Sequence, residues 1–166
     1  MLTLEKQSAK LVNLNPRAEK HGDETVPAAD LKFTFDAPNT VLSEFHPELK
    51  SSFYRKADAS DAQGELVDEP GHLPKLRFPK VPGIKWDGEM LGAQLTVHYG
   101  TGGKSDIVLD VDVDGFSFDF KDGGTVTTSF RAKAKPDDKE IAKLYRLIQC
   151  EVDISLAPAQ AEGSAS

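Results

Sequence analysis

Cysteine is nearly absent from this chain. Cys150 stands alone, so no intrachain disulfide can form and no thiolate cluster can hold a metal. A reducing compartment suits that composition. Long apolar runs are missing too. Nothing approaches the roughly 18 residues of a membrane span, and Met1 to Lys10 lacks the apolar core of a secretory signal. The expectation is a soluble, cytoplasmic protein without membrane association. Histidine pairs at metal-ligand spacing are lacking, and the flanks of the four histidines share no repeat. No serine lies in a Gly-x-Ser-x-Gly turn. Cys150 follows an apolar helix end and is expected to be buried rather than reactive. The residues ask for no cofactor or metal, and a protein that is not an enzyme is expected.

What is present is a core and a pattern. The 166 residues are 39% hydrophobic with nine Phe, enough for one sizeable domain. The net charge of −7 is uneven: residues 1–70 and the last stretch are acidic, and the segment between is nearly balanced. Net acidity argues against sequence-blind coating of DNA, which rests on neutralising phosphates. It leaves room for a local basic groove.

Alternation dominates from Gln94 to Lys135, the period of half-buried strands. Gly100 to Lys104, Asp114-Gly115 and Asp122-Gly123-Gly124 separate the runs. Asp-Gly suits a two-residue hairpin, which pairs Val113 with Phe116 and Asp110 with Asp119. A three-residue loop at Asp122–Gly124 keeps the apolar face in register. One face then carries Leu95, Val97, Tyr99, Leu109, Val111, Val113, Phe116, Phe118, Phe120, Val126 and Phe130, and needs a cover. The other face carries Asp110, Asp112 and Asp119. Like charges directly opposed are unfavourable without a compensating partner, although a merely solvated face is the commoner reason for such a run.

Upstream, Met1 to Ala9 is expected to fray, Lys10 to Asn15 to form a strand, and Pro16 to Pro27 a polar loop. Leu31, Phe33 and Phe35 alternate inward. Val41 to Tyr54 is helical and interrupted by Pro47. Residues 57–74 form a long acidic loop, and Leu76–Phe78 and Ile84–Trp86 are short edge pieces broken by proline. Downstream, Pro136-Asp137-Asp138 opens a helix with acidic residues at its positive end, with Ile141, Leu144, Tyr145 and Ile148 inward. Glu151 to Leu156 is a last strand, and 157–166 a disordered tail. The predicted fold is a β-rich α+β domain over 10–156: an antiparallel meander, sandwich-like, with two helical segments packed on the sheet.

Two motifs are decoys. Asp110-Val-Asp112-Val-Asp114-Gly115 imitates the start of a calcium loop, but position 12 is Lys121 and alternating Val says strand. Gly100-Thr-Gly-Gly-Lys104-Ser105 imitates a phosphate loop, but His98 stands where a Gly is needed and strands flank it. A third pattern has more content. Lys75, Arg77, Phe78, Lys80, Lys85 and Trp86 interleave cations with rings, the chemistry of single-strand binding. The plainer reading makes Phe78 and Trp86 core anchors and the lysines edge protection.

Leu11-Val-Asn-Leu-Asn-Pro-Arg-Ala-Glu-Lys-His-Gly-Asp-Glu24, Gly71-His-Leu-Pro-Lys-Leu-Arg-Phe-Pro79 and His98-Tyr-Gly-Thr-Gly-Gly-Lys-Ser-Asp-Ile-Val-Leu109 resemble a family of uncharacterised tailed-phage and prophage proteins. The resemblance runs from about Lys10 to Leu156. It implies a phage product made in the cytoplasm of a bacterial host and carries no functional residue. The first functional expectation is a non-enzymatic accessory protein that binds a host or phage protein through Asp110, Asp112 and Asp119. The alternative is a single-stranded nucleic-acid binder using the basic-aromatic set. An exposed Trp86 beside converging cations would favour the second, and a buried Trp86 with a clear acidic face the first.

Overall fold

A computed structural model describes residues 1–58, 71–100 and 105–159. In chain order it contains β1 (Leu4–His21), β2 (Glu24–Pro38), a 3₁₀ turn (Asn39–Glu44), α1 (Leu49–Phe53), β3 (Tyr54–Arg55), β4 (Lys75–Leu76) and β5 (Gly83–Trp86). Then follow β6 (Met90–His98), β7 (Ile107–Phe120), β8 (Thr125–Ala134), α2 (Asp138–Arg146) and β9 (Glu151–Ala157). The sheet order is β5-β7-β6-β9-β1-β2-β8, and β8 pairs back onto β7. Six strands therefore close into an antiparallel barrel, with β5 added outside β7. β3 and β4 form a separate two-stranded ladder.

The architecture is β-rich as expected, but the sandwich-like arrangement is corrected to a barrel. Inward and outward alternation is the same in both, so periodicity does not separate them. Length and bulges do. β1 has 18 residues and its register shifts between Leu4 and Gln7 and between Leu11 and Asn13; β6 shifts between Met90 and Ala93. Bulges add twist and let a sheet coil until its edges meet. β9 fills the gap between β6 and β1, antiparallel to both.

Asp114-Gly115 is not a hairpin. β7 runs through it without interruption. Ile107, Leu109, Val111 and Val113 face inward before it, and Phe116, Phe118 and Phe120 after it. The phase slips by one residue at Gly115, whose φ is +66°, which is the mark of a bulge. A two-residue turn and a bulge shift the alternation alike, so the sequence pattern fits either. The consequence is that Asp110 does not face Asp119; its partner in the ladder is Gln94. The next turn is as expected. Lys121 N–H donates to the Thr125 carbonyl at 2.9 Å, leaving Asp122–Gly124 as a three-residue loop. Of the anticipated core face only Tyr99 is not buried.

The N-terminal expectations need correction too. Leu4 onward is strand, Leu2 and Leu4 are buried, and Gln7 to Lys10 pair with β9. Pro16 to Pro27 is the far end of the β1–β2 hairpin, turned at Gly22-Asp23 with Gly22 at φ +67°. Glycine at the first turn position suits a two-residue hairpin. Polar residues hid this hairpin because its outer end packs against little core. At the other end of the chain, Tyr145 is 68% exposed rather than inward, and Cys150 is exposed rather than buried. Most of the acidic segment 57–74, the Gly-rich stretch 101–104 and the tail beyond 159 lie outside the described residues.

The chain divides into two compact units. The first comprises the described residues of Met1–Phe35, Trp86–Phe116 and Ser129–Ser166, with Phe33 stacked on Phe130 at 5.6 Å between centroids. α2 belongs to it and opens with a capping box: Asp137 accepts from Glu140 N–H and Glu140 from Asp137 N–H. The second comprises the described residues of Asp36–Lys85 and Ser117–Thr128. Its core packs Phe45 on Phe118 and Phe53 on Phe120, and the Tyr54 hydroxyl reaches the Lys121 carbonyl at 2.9 Å.

Candidate functional site

Strand alternation decides where the acidic residues of β7 point. With Leu109 and Val111 turned into the core, Val108, Asp110 and Asp112 must face out. In the first unit they line one side of a hollow of about 530 Å³ whose other side carries Lys133 and Lys135 from β8 and Arg17 and Glu19 from β1. Val108 is 51% exposed there.

The cations of the hollow, and Arg131 outside its lining, are already engaged. Arg131 grips Asp114 with two parallel bonds of 2.8 and 2.9 Å, and Lys133 reaches the same carboxylate at 2.9 Å. The Arg131 guanidinium is the main reason the Asp114 carboxyl is held below its ordinary range. Arg17 bridges Asp30, at 2.9 Å, and Glu19. Glu19 also meets His21 at 3.2 Å and Lys135 at 3.5 Å. Its carboxyl is lowered to about 2, chiefly by Arg17 and then by His21. Asp112 accepts from Gly92 N–H at 2.9 Å. The Asp110 carboxylate forms no hydrogen bond or ion pair among the described residues. Glu19, Asp110, Asp112 and Glu140 line the hollow against Arg17, Lys133 and Lys135, so it keeps a net charge of −1 beside apolar surface. Asp119, grouped with Asp110 and Asp112 by sequence reasoning, belongs to the second unit, where its carboxylate lies near Gly83.

The basic-aromatic set is only partly assembled. Lys75, Arg77, Phe78, Lys80 and Lys85 fall in the second unit and Trp86 in the first. Lys75 pairs with Asp122 at 3.5 Å, and Arg77 donates to the Ser51 carbonyl at 2.6 Å. Trp86 is half-buried: its indole nitrogen would lie 2.9 Å from a Cβ placed on Gly88. Phe78 is the surprise. It is 54% exposed at a turn closed by Val81 N–H to the Phe78 carbonyl at 2.9 Å, and Val81 is 37% exposed. Two prolines around the turn, Pro79 and Pro82, remove the N–H groups that would dock this segment on a ladder.

Sequence reasoning missed one constellation altogether. His98 Nδ1 lies 3.0 Å from Asp106 Oδ2, and His98 Nε2 lies 2.8 Å from Ser155 Oγ. The bond order is that of a nucleophilic triad. Its surroundings are those of a strand tie. At the β1 bulge Lys6 takes φ +45°, and its N–H is satisfied by Ser155 Oγ at 3.0 Å. Ser155 sits inside β9, which is laddered to β6 on one side and β1 on the other. Ser155 pairs with Thr96 of β6, and on the β1 side it stands opposite the bulge between Leu4 and Gln7. Asp106 follows His98 closely in sequence, but Ser155 comes from β9, far along the chain, and no motif announces the set.

Among the described residues no group of three His, Cys, Asp or Glu is placed to hold a metal, and no helix is long and apolar enough to cross a membrane. Comparison with protein-family models, curated proteins and solved structures finds no match to this chain.

Proposed function

We propose that this chain is a non-enzymatic binding protein that docks a protein partner at the β7 hollow. One observation supports the reading most: Asp110 and Asp112 project side by side from β7, next to half-exposed Val108, while the nearby cations are satisfied by Asp114, Glu19 and Asp30. A partner that brings a cation and an apolar side chain completes both halves of that surface. The setting proposed with it is a phage accessory protein in the cytoplasm of a bacterial host, as the resemblance of three segments implies.

The test is affinity capture with the intact chain and an Asp110→Lys/Asp112→Lys variant. Both positions point outward, but Asp112→Lys also removes the acceptor of the Gly92 N–H, so the melting temperature is measured alongside and Asp110→Lys alone serves as the structure-neutral control. A partner held by the wild type and lost by the variant supports the reading. Equal retention overturns it.

A second reading, single-stranded nucleic-acid binding, draws on exposed Phe78 with Lys80 in the same turn. Two features weigh against it: Lys75 and Arg77 are engaged within the chain, and Trp86 is half-buried. Fluorescence anisotropy with labelled single-stranded DNA decides it. Salt-sensitive binding lost in Phe78→Ala and Lys80→Ala would favour this reading over the first, and no binding at low salt would remove it.

A further inference from the structure

We propose that the occupant of the β7 hollow is a second copy of this chain, presented through its Phe78–Val81 turn. The inference rests on the reading of the hollow as a protein-docking surface and names its partner. From Gly71 to Trp86 the chain holds four Lys or Arg residues, Lys75, Arg77, Lys80 and Lys85, and not one Asp or Glu. Within that stretch Phe78 and Val81 stand exposed, and Lys80 and Lys85 form no ion pair among the described residues. The turn is thus an apolar knob carrying unmatched positive charge. The hollow is its counterpart: about 530 Å³ of concave surface, the apolar side chain of Val108, and, in a lining of net charge −1, the unpaired carboxylate of Asp110 beside Asp112.

Asp110 and Asp112 lie two strand positions apart, about 7 Å, so they form a short acidic rail rather than a single charge. A lysine ammonium meeting that rail leaves Phe78 free to cover Val108, and water is excluded around the pair. Because one chain carries both halves, every copy meets a partner at its own concentration. Reciprocal exchange between two copies closes a dimer, and head-to-tail docking adds copies in series. A single knob and hollow make a small interface, so affinity in the micromolar range and clear sensitivity to salt are expected.

Sedimentation velocity across a wide concentration range tests this with the full chain and two variants. Lys80→Glu/Lys85→Glu makes the knob acidic, and Asp110→Lys/Asp112→Lys makes the hollow basic. Each variant alone then opposes like charges and should associate at least roughly tenfold more weakly than wild type. An equimolar mixture of the two restores opposite charge at both contacts and should associate again, which capture of an unrelated protein does not predict. Phe78→Ala removes the apolar contact without changing charge and should also weaken self-association. A wild type that is monomeric throughout overturns the inference; the hollow reading itself then stands or falls by the capture experiment. Association that ignores the Asp110 and Asp112 reversal, or a mixture that stays monomeric, overturns it equally.

Discussion

Glu19 and Asp114 show how single side chains tune this surface. Both carboxyls sit below their ordinary range because a guanidinium holds each one, Arg17 for Glu19 and Arg131 for Asp114. A carboxylate whose folded pKa lies below its unfolded value adds stability that is complete above the unfolded value and is lost as pH falls through the folded one. The melting temperature is therefore expected to fall as pH drops from about 4.5 toward about 2. Glu19→Gln combined with Asp114→Asn should flatten part of that fall in a calorimetric series. Solvent screens both groups, so the effect is modest. A decline in the double variant as steep as in wild type would show that these pairs contribute nothing. At the same scale, Ser155 explains why a residue can sit at φ +45° inside a strand: its hydroxyl takes the Lys6 N–H that the bulge withdraws from the ladder.

Elements follow their local signals unevenly. The helix after Pro136 was legible from its acidic start, because capping chemistry is local, and the capping box is formed as that start suggests. The inward stripe assigned to it was less so, since a 9-residue helix buries only Leu144. β5 depends on something no periodicity reveals. A Cβ on Gly83 would lie 2.0 Å from the Phe118 carbonyl oxygen and 2.9 Å from the Asp119 carboxylate. Only glycine lets the two backbones approach this closely. Gly83→Ala is expected to cost about 1–3 kcal/mol through overpacking in urea unfolding, and an unchanged midpoint would mean that β5 shifts freely. The bulge at Gly115 carries the same lesson. Asp-Gly is chemically suited to a hairpin turn, yet Asp114 is pinned to β8 by Arg131 and Lys133, and the strand continues.

At the scale of the whole molecule, much could be read from residues alone. Strand period, the inward face of β6 to β8, the three-residue loop at Asp122–Gly124 and the outward course of Asp110 and Asp112 follow from alternation, which depends only on neighbours along the chain. Barrel closure does not follow, because it depends on β8 finding β2 and on β9 entering between β6 and β1. The same holds for the candidate site. Sequence marks Asp110 and Asp112 as outward carboxylates, but the engagement of Lys133 and Lys135 by Asp114 and Glu19 is a matter of strands that meet only in the folded sheet. Exposure of Phe78 was equally hidden, since a large aromatic is ordinarily an anchor and only the tertiary structure leaves this one at the tip of a proline-flanked turn. What the sequence determined by itself is therefore what each strand turns inward. What tertiary structure alone decided is which strands become neighbours, and so which charges are cancelled and which stay open to a partner, because pairing between distant segments is a global outcome that local periodicity does not encode.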